Sequence, residues 1–363
     1  MKKLYLAQIP DGDPIQEDLF NPNGAILVPK GKMMTPKLRQ QLLRNNIEYF
    51  LLDVTGFNEV DTHLAHFEDE TIKQIEAVKK VYTESFNNLS GEFERMRKTG
   101  RLEKPVIEET ARELVESIGK YQQVYLGLEG IRRKDFYTYI HSIDVAVFMI
   151  ILSKTLKLNK EQQERAALSG LLHDIGKTKI HNSILLKPAR LTAEEMSVMQ
   201  EHSRIGGEII SQDLKYSNEI AHVALEHHER MDSTGYPRGV NWDHLHLYSK
   251  MAAVCDIYVA ITGERVYKKA MLPHEAVEYL MTIVDTHLDR SLTTLFVRNI
   301  SIYPLGTRVT LNNGEEGIVV RLHDGYPARP VIKVEKRGKV RDLLEEKTLL
   351  ISRINEHLKE PAS

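Results

Sequence analysis

The sequence predicts a mainly α protein: a long helical domain flanked by a small N-terminal α/β module and a small β-rich C-terminal module. Three observations carry this. From about 126 to 298 one helix-period segment follows another. Before residue 60 short β-like runs are punctuated by turn residues such as Asn23-Gly24, and after Pro304 β-formers alternate around Asn313-Gly314.

In chain order, residues 1–60 hold two β-like runs, "AILVPKG" and "IEYFLLDV", around a helix expected over "TPKLRQQLLRNN". Residues 61–125 are rich in charge and helix formers, with apolar positions spaced irregularly around Ile72, Ile75, Val78, Val81 and Phe86. They read as a helical connector with one solvated face, interrupted at "KTGRLEKP". Residues 126–298 form the helical domain. Thr192 and Glu195 open one of its helices as a capping box, and "MDSTGYPRGVNWDHLH" is its long loop. Residues 299–363 form a small sheet or partial barrel closed by a terminal helix over "EEKTLLISRINEHLKE".

The composition narrows the function. The net charge of −2 over 363 residues gives no general attraction to duplex nucleic acid or to a membrane surface. No apolar run is long enough to span a bilayer, and the N-terminus breaks too early to be a secretory signal. A single cysteine, Cys255, excludes an intramolecular disulfide. A cytoplasmic protein is expected.

"GLLHDIGKT", residues 170–178, has the glycines, lysine and threonine of a phosphate-cradling loop, but five residues separate Gly170 from Gly176 where that loop needs four. A helix runs into the stretch, whereas such a loop follows a strand. His173 and Asp174 point instead to metal ligation. His141, His202, His227, His228 and Asp256 offer comparable ligands, each on a helix with apolar neighbours at helical spacing. Any one of these histidines alone reads as a hydrogen-bonded core residue. Asp256 is harder to place in that way, being the sole charge in "MAAVCDIYVAI", because a lone buried carboxylate is costly without a cation. Imidazole and carboxylate together suit iron, manganese or zinc. Seven such groups exceed the needs of one ion and would serve two, with Asp174 between them.

"HDIGK" (173–177), "HHERMDSTGYP" (227–237) and "DIYVAITGERVYKKA" (256–270) together resemble the HD-GYP domain of bacterial cyclic-di-GMP phosphodiesterases, a branch of the HD metal-dependent phosphohydrolases. The likeness covers roughly 126–298. It implies an all-helical HD-type domain whose dinuclear centre is held by His141, His173, Asp174, His202, His227, His228 and Asp256, with iron or manganese as the metals. Asp174 and Lys177 are the implied catalytic residues, and Lys177, Tyr236, Arg265 and Lys268 the implied contacts to substrate. The implied reaction is attack of a metal-bridging hydroxide on phosphorus, opening cyclic-di-GMP to 5′-pGpG and in some members continuing to GMP. Diguanylate cyclases and a second copy of the chain, docked through the connector, are the expected protein partners. Two alternatives stay open: a receptor that binds the nucleotide without cleaving it, and a hydrolase of another cyclic dinucleotide such as cyclic GMP-AMP.

Four positions depart from the family pattern. Tyr137 stands where members with a third metal carry glutamate, Ser233 replaces a common glycine, Val259 a common aspartate and Val266 a common proline. "NPNGAILVPKGKMMTPKL" faintly resembles the small N-terminal domain of some HD-GYP proteins. "GYP" recurs at 325–327, outside the motif.

Overall fold

The computed structural model describes residues 3–6, 9–15, 19–20, 26–29, 31–45, 47, 49–51, 67–128, 138–185, 187, 189–263, 270–335 and 338–355. Tyr137, Arg265, Val266, Lys268 and the Asn23-Gly24 turn lie outside them.

At the N-terminus, β1 (Lys3–Tyr5), β2 (Leu19–Phe20), β3 (Ile26–Val28) and β4 (Tyr49–Leu51) form one sheet in the order β1-β4-β2-β3. Helix α1 (Pro36–Arg44) starts where Thr35 Oγ1 accepts the Leu38 N–H at 3.2 Å, with proline in the first turn. Leu6, Leu19, Val28, Met34, Leu42 and Phe50 give this module a core of its own.

Helices α2 (Asp69–Thr99) and α3 (Lys104–Leu128) fill the connector region. Between them Gly100 takes φ 70°, the left-handed conformation that ends a helix without a Cβ penalty. The spacing is more regular than the sequence reading suggested. Ile75, Val78, Tyr82, Phe86, Leu89, Phe93 and Met96 recur at three- and four-residue steps and are buried in the same core as the helices that follow. Tyr82 and Met96 complete the stripe, and both are easily passed over in a charged helix. Tyr82 also donates a hydrogen bond from Oη to the buried Asp144 Oδ1 at 2.8 Å. Hydrogen bonds to charged groups contribute about 1.5–3 kcal/mol, so Tyr82→Phe is expected to destabilise the domain by about 2 kcal/mol in urea unfolding. An unchanged midpoint would show that the contact contributes nothing.

Helix α4 (Thr138–Thr155) is apolar on every side and buried accordingly. Helix α5 (Lys160–Leu172) is opened by an Asn159/Gln162 capping box and leads into a 3₁₀ turn, Ile175–Lys179. After the short α6 (Asn182–Leu185), α7 (Ala193–Glu208) carries the expected Thr192/Glu195 box, with the Thr192 N–H donating to Glu195 Oε2 at 2.8 Å. A π turn, Ile209–Asp213, separates α7 from α8 (Asn218–Glu226). Helices α9 (Leu247–Thr262), α10 (Pro273–Thr282) and α11 (Arg290–Arg298) complete the domain. Among the described residues no helix is long and apolar enough to cross a membrane.

The C-terminal module is a five-stranded antiparallel sheet. It comprises β5 (Arg308–Leu311), β6 (Glu316–Arg321), β7 (Val331–Val334), β8 (Val340–Asp342) and β9 (Ile351–Ile354), in the order β8-β7-β6-β5-β9. The expected terminal helix is corrected where it falls on described residues. Ile351–Ile354 pairs as an edge strand with β5, Ile354 opposite Val309 and Ile351 opposite Leu311 across a register shift between Thr310 and Leu311. Val309, Leu311, Val319 and Ile332 join the helical core, so sheet and helices share one hydrophobic interior.

Candidate metal centre

All seven side chains singled out as ligands come together at one place, from five helices. His141 is on α4, His173 and Asp174 follow the last turn of α5, His202 is on α7, His227 and His228 follow α8, and Asp256 is on α9. Asp174 sits among them. Its Oδ1 lies 3.3 Å from His202 Nε2 and 3.9 Å from His227 Nε2; its Oδ2 lies 3.4 Å from His173 Nε2 and 3.9 Å from His141 Nε2. Asp256 reaches the other side, 2.9 Å from His141 Nε2 and 3.7 Å from His228 Nδ1.

Local packing sets these distances. Gly176 presses on α7 so closely that a Cβ there would overlap the His202 carbonyl and come within 2.7 Å of the Gly206 nitrogen. This contact brings the His173-Asp174 turn against His202. Gly-Lys therefore lies in a helix-to-helix turn, with no strand before it.

The hydrogen-bond pattern argues for cations at this place. Nδ1 of His173 meets the Gly170 carbonyl at 2.7 Å, Nδ1 of His202 the Met199 carbonyl at 2.7 Å, and Nδ1 of His227 the Val223 carbonyl at 2.9 Å. A carbonyl can only accept, so the proton sits on Nδ1 and each Nε2 presents a lone pair. The Nε2 atoms of His202 and His227 then face each other at 3.4 Å, and His173 Nε2 and Asp174 Oδ1 are buried without a hydrogen-bond partner. Such an arrangement is repulsive as it stands and is resolved by a bound cation. His141, His173 and Asp174 form one group able to hold a metal ion, and His202, His227 and His228 a second.

Electrostatics point the same way. Burial pushes the His173 imidazole down to about 4 and the His202 imidazole to about 3, and lowers His227 and His228 as well. The four imidazoles are neutral at neutral pH, the form that can ligate a metal. Burial alone would raise Asp174, but the Lys177 ammonium beside it holds it well below the usual carboxylate range. The Lys177 ammonium is 2.5 Å from Asp174 Oδ2. His173 is sealed off, whereas the His228 and Lys177 side chains are 25% and 19% exposed, so the centre opens to solvent on that side.

Tyr236 stands at this opening, its ring centroid 4.6 Å from that of His228. Its loop is tied down by two glutamates that the sequence reading did not single out. Buried Glu229 accepts the Arg238 N–H at 2.8 Å, and buried Glu226 accepts from the Arg238 guanidinium at 2.6 Å and from Ser249 Oγ at 2.7 Å. The signal was present: these glutamates bracket the His227-His228 pair. Gly235 fits against the backbone of residues 228–230, where a Cβ would lie 2.5 Å from the His228 carbonyl oxygen.

The HD domain family matches residues 130–292, an interval holding all seven candidate ligand residues and the "GYP" loop. Over this interval the chain is similar to the HD domain family. Cyclic di-GMP phosphodiesterase PA4108 of Pseudomonas aeruginosa is 37% identical over 222 residues, 61% of this chain and 53% of that protein. The 3′3′-cGAMP-specific phosphodiesterase 3 of Vibrio cholerae is 32% identical over 171 residues, 47% of this chain and 37% of that protein. The chain thus spans about half, or less, of the length of these relatives. Among solved structures, Bd1817, an HDG"Y"P protein of Bdellovibrio bacteriovorus, shares the fold with a TM-score of 0.54 at 16% identity, over 82% of this chain and 98% of that one.

Two departures from the HD-GYP pattern fall on described residues. Val259, one turn beyond Asp256, is buried in the apolar core and brings no carboxylate to the centre. Ser233 has φ 59°, a conformation glycine adopts freely and other residues adopt at a cost of about 1–2 kcal/mol. Part of that is offset by the greater chain entropy of glycine, so Ser233→Gly is expected to stabilise the domain by about 0.5–1 kcal/mol. A lowered melting temperature would mean that the Ser233 hydroxyl outweighs the backbone cost.

Proposed function

We propose that this chain is a metal-dependent phosphodiesterase that opens cyclic-di-GMP to linear 5′-pGpG. The observation that carries the reading is the convergence of three Nε2 lone pairs, fixed by their Nδ1 anchors, around a buried carboxylate. In this reading His141, His173, Asp174, His202, His227, His228 and Asp256 would hold two divalent ions, iron or manganese. Such ions, when bound, supply a nucleophilic water near neutral pH and neutralise charge on the phosphodiester.

The remaining work falls to side chains at the opening. Lys177 exchanges its contact with Asp174 for a phosphate oxygen and adds positive charge where it develops in the transition state. Tyr236, packed on His228, positions the substrate at the rim. Arg265 and Lys268, three residues apart in sequence, are assigned to the second phosphate and its surroundings. The anchoring of the Tyr236 loop by Glu226 and Glu229 limits the entropy lost when substrate binds.

A hydrolase of 3′3′-cGAMP is the second reading, favoured by the 32% identity to the Vibrio cholerae enzyme. One experiment separates the readings. Protein purified without oxygen is given both cyclic dinucleotides, with iron or manganese, and the products are resolved by chromatography. The leading reading expects faster loss of cyclic-di-GMP with pGpG appearing first; later GMP would mean that the second bond is also cut. Faster loss of cGAMP transfers the assignment to the second substrate. Binding without turnover under every metal condition makes the domain a receptor. A homodimer joined through residues 61–125 is part of the same proposal, and light scattering that reads a monomer at micromolar concentration removes it.

A further inference from the structure

A cavity of about 550 Å³ lies away from the metal centre, at the seam between the helical domain and the C-terminal sheet. Its wall is made by α3 around Tyr121, by the ends of α4 and α11, and by the β6–β7 loop. Lys154 on this wall stands thirteen residues beyond His141 on the same helix, roughly 20 Å along its axis, so this is a separate place.

The charge on the wall is one-sided. Lys120, Lys154 and Arg298 line it, against a single carboxylate, Asp324, which the Gln123 amide already engages. His323, also on the wall, is turned to Asp342, with Nε2 2.9 Å from Oδ1. Lys154 is the informative cation. It is half-buried, and its ammonium donates only to neutral acceptors, Gln122 Oε1 at 2.7 Å and the Ile118 carbonyl at 3.4 Å. No carboxylate lies within ion-pair distance of it among the described residues; burial lowers its pKa, and Asp324 opposes this only from farther off. A desolvated cation without a counter-ion is costly, and an incoming anion relieves that cost.

Two further features narrow the ligand. Lys154 and Arg298 occupy the last turns of their helices, so the carbonyl ends of α4 and α11 lie close by. Carbonyl ends repel a bare anion and favour a ligand that also carries hydrogen-bond donors. Tyr121 interrupts the helical backbone of α3 with φ −128° and lines the cavity, as does Tyr326 of the second "GYP" run. Tyr326 is 54% exposed, a large aromatic face left in water with no role in the sheet core. The volume falls within the range of small-molecule sites.

We infer that this cavity binds a small phosphorylated ligand with a planar ring and donor groups, of the size and chemistry of a nucleoside monophosphate. Its phosphate pairs with Lys154 and Arg298, its donors meet the helix ends, and its ring lies against Tyr326.

The test is calorimetric titration of the full chain with GMP and AMP, and separately with inorganic phosphate. Either nucleotide is expected to bind once per chain at this place, more tightly than phosphate. Lys154→Gln combined with Arg298→Gln should weaken that event by at least about tenfold, which is about 1.4 kcal/mol. Tyr326→Ala should weaken the nucleotide and leave phosphate unaffected. Both variants alter a rim remote from the metal ligands, so their cyclic-dinucleotide turnover without added ligand should match the parent and verify folding. Absence of nucleotide binding overturns the inference. So does binding that the double variant leaves unchanged and Asp174→Asn removes, since it belongs to the metal centre. Binding of phosphate but of neither nucleotide also overturns it.

Discussion

Asp174→Asn is expected to lower cyclic-di-GMP hydrolysis by at least about a thousandfold, equivalent to about 4 kcal/mol of transition-state stabilisation. Asparagine keeps the volume of the side chain, so the helices around it have no steric reason to move. The negative charge is lost from a point within 3.9 Å of four imidazole Nε2 atoms. A cation held there would lose its anionic neighbour on that side, while Lys177 would be left 2.5 Å from a neutral amide. Metal content should therefore fall together with turnover, from about two ions per chain in the parent. Elemental analysis and product chromatography on the same preparation check both. Turnover within tenfold of the parent, with metal retained, would sink the assignment of Asp174 as a metal ligand.

Gly176→Ala tests the packing that builds the centre. Its Cβ would run into the His202 carbonyl and the Gly206 backbone nitrogen, neither of which can rotate away. Overpacking of this kind costs about 1–3 kcal/mol, so a lowered unfolding midpoint is expected, by about 2 kcal/mol. The larger effect is on function. Relieving the clash moves the His173-Asp174 turn away from α7 and lengthens the 3.3 Å approach of Asp174 to His202. A displacement of about 1 Å at a reacting centre costs on the order of a hundredfold in rate, and that is the loss expected here. A variant as stable and as active as the parent would show that the turn and α7 can separate without consequence.

Much of the metal centre was legible because its chemistry depends on residue type. Histidine and aspartate on apolar helix faces are expensive unless something uses them, and Asp256 in "MAAVCDIYVAI" is the clearest case. The order of "HDIGK", "HHERMDSTGYP" and the helix beginning at Asp256 then marks the HD-GYP type without any knowledge of distance. Glu226 and Glu229 were harder to find, because a glutamate beside a helix end reads as a solvated charge until its burial is known. The stripe Ile75-Val78-Tyr82-Phe86-Leu89-Phe93-Met96 was diluted by the charged residues of the opposite face. Strand β9 was masked by the helix-forming residues on either side of Ile351–Ile354.

The sequence alone determined which groups are available: five imidazoles and two carboxylates on successive helices, a lysine one turn from Asp174, and a tyrosine in the loop after the His pair. These follow from chemical identity and helical period, both of which are local. Only the tertiary structure decided that five helices bring the five imidazoles within 4 Å of Asp174 or Asp256, that backbone carbonyls fix the tautomers, and that one side opens to solvent. The same holds for the seam cavity, whose walls come from segments some 200 residues apart in the chain, such as Gln123 and Asp324. Contacts of that kind depend on how apolar faces pack, a cooperative property of the whole core that no window of sequence contains.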